Sequence, residues 1–214
     1  MPLASGLDLD IKKIDRGSVV ISELQNHAVF DLVINNRGEG DSVEIYSLAG
    51  ITISPKYTFF LPPGESTVEI KAQPNEEFIN LEGTFSFEYE IRGQNQGIFS
   101  DRLSIQIAPI KNIFELFPSK IKQEDSSVNI EIKNKVNANL DNVKTHFSST
   151  FFDIEKSINF KPSEKVSIPI QLDNSKIQKL TAGHYIFNAE VLIDDASVKY
   201  ESTIDYLENE KITS

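Results

Sequence analysis

The side chains able to do chemistry in this chain are few and widely spaced. Its 3 histidines, His27, His146 and His184, stand at none of the spacings that bring two imidazoles to one metal. Carboxylates fall in the pairs Asp8/Asp10, Glu39/Asp41, Glu76-Glu77 and Asp194-Asp195. Glycoside hydrolysis needs two carboxyls held across a cleft, and calcium needs roughly six to eight oxygens. No pair continues into an Asp-x-Asp-x-Asp-Gly loop, so Asp194-Asp195, placed at a hairpin turn, is the calcium candidate. The plainer reading is a pair of solvated turn acids, because aspartate bonds its own backbone in turns. No serine lies in Gly-x-Ser-x-Gly, and Gly38-Glu39-Gly40 is too short to cradle a phosphate. Cysteine is absent, which removes disulfides, thiolate zinc and thiol nucleophiles. The expectation is no catalytic residue, no cofactor and no resident metal.

Charge narrows the partners further. The 214 residues carry a net charge of -11, which opposes a nucleic-acid groove or a polybasic membrane anchor. Residues 1–108 hold 16 acids and 8 bases, and residues 109–214 hold 16 acids and 13 bases, all of them lysine. Arginine is the preferred phosphate ligand, so its absence from the second half weakens phosphopeptide readings there. Two aromatic pairs remain, Phe59-Phe60 and Phe151-Phe152. On an alternating strand one member of each pair is core and the other exposed. Phe59 and Phe151 are therefore carried as candidate partner-binding residues.

The elements that must position these residues follow from a repeat. Val29-Phe30-Asp31-Leu32-Val33-Ile34-Asn35-Asn36 parallels Val128-Asn129-Ile130-Glu131-Ile132-Lys133-Asn134. Both are alternating strands closed by asparagine, a residue that tolerates the left-handed turn conformation. Phe60-Leu61-Pro62-Pro63-Gly64-Glu65 parallels Phe160-Lys161-Pro162-Ser163-Glu164-Lys165, and the strands from Gly83 and Gly183 match at an offset of 100. Apolar residues alternate at Phe85, Phe87, Tyr89 and Ile91, and again at Tyr185, Phe187, Ala189 and Val191. Period two, with turns at Asn35 to Gly38, Pro62 to Gly64, Gly93 to Gly97 and Asp194-Asp195, predicts short strands with one buried face. Residues 75–80 and 174–179 are long enough for a helical turn each. The expected fold is all-β, two tandem immunoglobulin-like sandwiches over residues 1–108 and 109–214, with Pro109 ending the last strand of the first. A short apolar linker implies restricted motion between them.

The run Leu180-Thr181-Ala182-Gly183-His184-Tyr185-Ile186-Phe187 resembles strand F of immunoglobulin-like domains. That resemblance implies a tyrosine corner at Tyr185, with Phe187 at the core position that antibody domains give to cysteine. Phe85 has no hydroxyl, so the first repeat departs from the pattern. The order of strand, asparagine turn, strand and Pro-Gly turn also resembles the tandem modules of bacterial and archaeal cell-surface proteins. This implies a non-catalytic spacer or protein-binding ectodomain, in the envelope or outside the cell, reaching a membrane only through a tether outside this chain. The alternative is a cytoplasmic adaptor that takes peptides along a sheet edge. An accessory domain of a carbohydrate-active enzyme would show exposed tryptophan or tyrosine platforms, and the absence of tryptophan counts against it.

Overall fold

The computed structural model describes residues 7–47, 50–177 and 180–208. The chain divides into two compact units, Met1–Pro109 and Ile110–Ser214. Among the described residues of the first, the strands run β1 Leu9–Gly17, β2 Val19–Ile21, β3 Ala28–Asn36, β4 Asp41–Ser47, β5 Ile51–Ser54, β6 Phe59–Leu61, β7 Gly64–Pro74, β8 Gly83–Gly93 and β9 Ile98–Ala108. They form a sheet ordered β1-β3-β7-β5 and a second ordered β2-β9-β8-β4-β6. Most strands have a period-two apolar face, β2 being buried at all three positions, and the faces meet in one core built on Phe30, Leu32, Ile34, Ile45, Ile70, Phe87, Tyr89, Ile91 and Ile105.

The second unit opens with a single 3-10 turn, Ile110–Asn112. Its strands are β10 Phe114–Pro118, β11 Ile121–Lys122, β12 Ser127–Asn134, β13 Leu140–Ser149, β14 Asp153–Phe160, β15 Lys165–Gln171, β16 Gly183–Ile193 and β17 Ala196–Leu207. They form sheets ordered β10-β12-β15 and β11-β17-β16-β13-β14. The five-stranded sheets of the two units thus share one strand order. In both units the first strand pairs in one sheet, and the chain then crosses to pair in parallel with the last strand of the other, β2 with β9 and β11 with β17. The fold is all-β, two tandem immunoglobulin-like sandwiches. The four-residue helix α1, Asn174–Ile177, occupies the place where the first unit has bonded turns. Residues 178 and 179 of the predicted helical turn lie outside the described residues. Over residues 75–80 the chain forms successive turns, in which the amides of Phe78 and Ile79 donate to the Asn75 carbonyl.

The asparagines that close β3 and β12 work differently from the sequence expectation. Neither has a positive φ. Both are buried, and each side chain braces the crossing that follows. Asn36 Nδ2 donates to Glu39 O at 2.9 Å and Pro62 O at 3.3 Å, while its Oδ1 accepts from the Gly38 amide at 3.0 Å. Asn134 Nδ2 donates to Ala138 O at 2.8 Å and Lys161 O at 2.9 Å, while its Oδ1 accepts from the Val136 amide at 3.0 Å. A side-chain amide has both donors and an acceptor, so one buried residue can satisfy a loop and a turn together. The corner implied at Tyr185 is present: its hydroxyl donates to Thr181 O at 2.7 Å. Phe85, its counterpart, sets its ring edge-on against Phe78 at 6.2 Å.

Candidate functional site

Asp194 and Asp195 form the two-residue connection between β16 and β17, where Ile193 faces Ala196 and Asp194 takes a φ of 47°. Aspartate is among the side chains that tolerate this backbone region, so the turn itself accounts for the pair. Among the described residues no three His, Asp or Glu side chains gather closely enough to hold a metal ion. His146 Nε2 lies 2.8 Å from Asp153 Oδ1, and His184 Nδ1 lies 2.7 Å from Asp205 Oδ1. His184 points to solvent, as its alternation with Tyr185 requires. The His184 hydrogen bond is the main reason Asp205 sits below the ordinary aspartate pKa, and Lys120 at 3.7 Å adds to it.

The two phenylalanine candidates are corrected by their surroundings. Phe151 and Phe152 are both buried, because they lie in the bend between β13 and β14, where strand alternation does not apply. Phe151 packs edge-on against Tyr185 at 5.0 Å and against Tyr206 at 5.6 Å, and Phe152 meets Phe187 at 6.3 Å. In the first unit the alternation holds with the opposite assignment. Leu61 is buried opposite Asp41 on β4, so Phe59 shares its inward parity and packs partly buried against the core. The exposed member is Phe60, at 64%, which lies over Gly40 so closely that a Cβ there would stand 2.5 Å from its ring.

A third aromatic was missed at the level of sequence. Tyr57 is 69% exposed on the segment between β5 and β6. Its only sequence signal is the preceding Pro55-Lys56, which takes the chain out of one sheet before β6 joins the other. Between this segment and β7 lies a groove of about 720 Å³, lined by Pro55, Lys56, Tyr57, Phe59, Val68 and Lys71 among others. Pro55, Tyr57 and Phe59 make its apolar side, and β7 contributes Val68 together with Glu69 and Lys71, which pair at 3.5 Å. The groove exists because β5 is only four residues long and covers β7 no further than Lys71.

The outward faces of the five-stranded sheets carry smaller concavities of different chemistry. In the first unit Arg92 stacks over the Tyr46 ring at 4.7 Å and bonds its hydroxyl, which in turn donates to Glu90. That bond to Glu90 is the largest contribution raising the Tyr46 pKa. In the second unit Lys144, His146, Glu155, Glu190 and Leu192 line a concavity of about 530 Å³. His146 is turned to Asp153 and Glu190 to Lys199 at 3.8 Å, and the concavity lies open to solvent.

One buried acid holds the first unit's long hairpin. Asp41 accepts from the amides of Ser42 at 2.8 Å, Asn95 at 2.9 Å and Gln96 at 3.0 Å, and from Asn95 Nδ2 at 2.9 Å. Burial alone would raise its pKa, but these donors outweigh burial and hold the carboxyl below the usual value. The equivalent strand position in the second unit is Leu140, opposite Phe160, where the tight Asp194-Asp195 turn needs no such support.

No protein-family model matches the chain, and no curated protein is significantly similar to it. Solved structures similar to it include the YadV chaperone, at 10% identity and a TM-score of 0.32, covering 91% of this chain and 100% of that one. The chaperone DraB of E. coli is similar at 10% identity and a TM-score of 0.35, covering 91% and 98%. Red sea bream transglutaminase is similar at 9% identity and a TM-score of 0.35, covering 94% of this chain and 31% of that one. At these scores neither partner nor activity carries over.

Proposed function

We propose that this chain is a non-catalytic, protein-binding module of a cell-surface or envelope protein, and that it holds its partner on the first unit. The observation that carries this reading is Tyr57, left 69% exposed in the lining of the β7 groove. A large aromatic side chain held at the mouth of a groove is the kind of residue that anchors interfaces, because it buries much area while ordering few bonds. The net charge of -11 favours solubility, and among the described residues no three His, Asp or Glu side chains gather to hold a metal ion.

A photo-crosslinking residue placed at Tyr57, with Lys156 on the second unit as control, tests the reading in the source cell. A discrete adduct at position 57 and none at 156, recovered with the envelope fraction, is the expected result. Recovery of chain and adduct in the cytosol would move the module to the adaptor reading. No adduct at either position would leave only a spacer.

A further inference from the structure

The two units solve the same edge problem differently. Among the described residues, β15 is the last strand of its sheet in the second unit, and in the first, the equivalent β7 is covered by β5 only from Lys71 to Pro74. Residues 64–70 of β7 therefore have a neighbour, β3, on one side alone. Which backbone groups this leaves open follows from the ladder. Asn75 donates its amide to Gly50 O on the β5 side at 2.9 Å, and β7 runs against β3 without a bulge, so odd-numbered residues face away from β3. Glu65, Thr67 and Glu69 consequently turn their N–H and C=O groups to the open edge. The position equivalent to Glu69 in β15 is Pro169, opposite Asn129 on β12. The same parity applies there, since the Asn134 amide bonds Glu164 O at 2.8 Å and even-numbered residues face β12. Proline thus removes an outward donor from the second unit's edge, which is how natural sheets block strand addition. The first unit has no such block.

We infer that the open edge of β7 accepts one extended strand from a protein partner, with Lys or Arg at alternate positions. This rests on the protein-binding reading above and names its mode. The added strand would bond Glu65, Thr67 and Glu69 through its backbone, as edge-recognition domains do. On one face its apolar side chains would lie on Pro55, Tyr57 and Phe59, completing the cover of Val68 and Phe59, which the core leaves half-exposed. On the other face its bases would stand beside Glu65 and Glu69, on a unit with 16 acids against 8 bases. A second copy of this chain fits less well. The antiparallel self-pairing that engages all three open residues sets Glu65 opposite the other copy's Glu69 at both ends, and like charges directly opposite are destabilising.

The test uses the full chain and three labelled, capped probes: Lys-Val-Lys-Val-Lys-Val-Lys, the same peptide with Glu for Lys, and the lysine peptide N-methylated at alternate amides. Fluorescence anisotropy at low salt should show the first binding about tenfold or more tighter than either of the others. Glu69→Pro, which copies the second unit, should abolish binding, while Pro63→Ala outside the strand should not. Hydrogen exchange supplies a readout that does not depend on a variant folding. The amides of Glu65, Thr67 and Glu69 should exchange quickly in the free chain and become protected with peptide, while those of Ser66, Val68 and Ile70 stay protected throughout. Equal binding of the lysine and glutamate peptides would overturn the basic partner, and binding without alternating protection would overturn strand addition. A dimer in sedimentation that Glu69→Pro dissolves would replace the partner strand by a second copy. If the peptide fails while the Tyr57 crosslink still forms, strand addition is wrong and the protein-binding reading survives. If both fail, that reading falls too.

Discussion

At the scale of single residues, the buried polar groups separate what holds the fold from what faces a partner. Asn36 and Asn134 each satisfy backbone groups that would otherwise be buried without partners. Asn36→Ala and Asn134→Ala should each cost about 1–3 kcal/mol in urea unfolding. The isosteric Asp replacements should also destabilise, since a carboxylate cannot donate to the carbonyls that the amides now bond. Tyr185→Phe should cost about 0.5–1.5 kcal/mol for its corner hydrogen bond. Asp41 gives the first unit an acid sensitivity. Its folded-state pKa lies below the unfolded value of about 3.9, so its stabilisation is complete above that pH and is lost as pH falls through the folded value. Asp41→Asn should flatten the acid limb of the thermal-stability profile below about pH 4 and lower stability at neutral pH. An unchanged limb would mean that other carboxylates carry it. None of this bracing was legible in the sequence, where Asn36 reads as a turn residue and Asp41 as one more surface acid. Burial, the property that sets them apart, depends on what crosses over them from residues 61–62 and 95–96.

Among the strands and turns, the alternation of apolar residues was readable because a strand with one buried face must write that face at every second position. Phe87 and Phe187 stand at the same register, opposite Leu103 and Ser202, and both are core. Phe87→Ala and Phe187→Ala should each cost about 3–5 kcal/mol, measured as a loss of unfolding free energy. The loss at Phe187 should be aggravated because Phe147 stacks on it at 6.1 Å and would face the cavity. What the pattern could not show is where a strand stops. Phe151-Phe152 has the composition of a strand and belongs to a bend, and Tyr57 sits in a segment whose exposure follows from the shortness of β5. Residue type records a preference for burial, whereas the supply of neighbours is a property of the assembled sheet. For the same reason Phe59 and Phe60 were distinguishable only once Leu61 was known to face the core.

For the molecule as a whole, each unit contains both of its sheets and its own core, so each is expected to fold alone. Residues 1–109 and 110–214 expressed separately should both show dispersed amide spectra and cooperative melting, and collapse of both would mean that stability is shared. Tyr200 strengthens the expectation for the second fragment. Its hydroxyl bonds the carbonyls of Ile110 at 3.4 Å and Lys111 at 3.2 Å, tying the start of that unit to its last strand, and burial pushes its pKa up to about 12.

The parallel pairing of β2 with β9, and of β11 with β17, has a mechanical consequence. When a unit is pulled from its two ends, β2 and β9 are drawn in opposite directions along their common axis, so the bonds joining Val19–Ile21 to β9 are strained together in shear instead of parting one at a time. In the second unit the same arrangement is thinner, with Ile121 and Lys122 alone facing Tyr206 and Leu207. Under rising tension the second unit should therefore yield first, lengthening the molecule while the first unit, with its open edge, still holds.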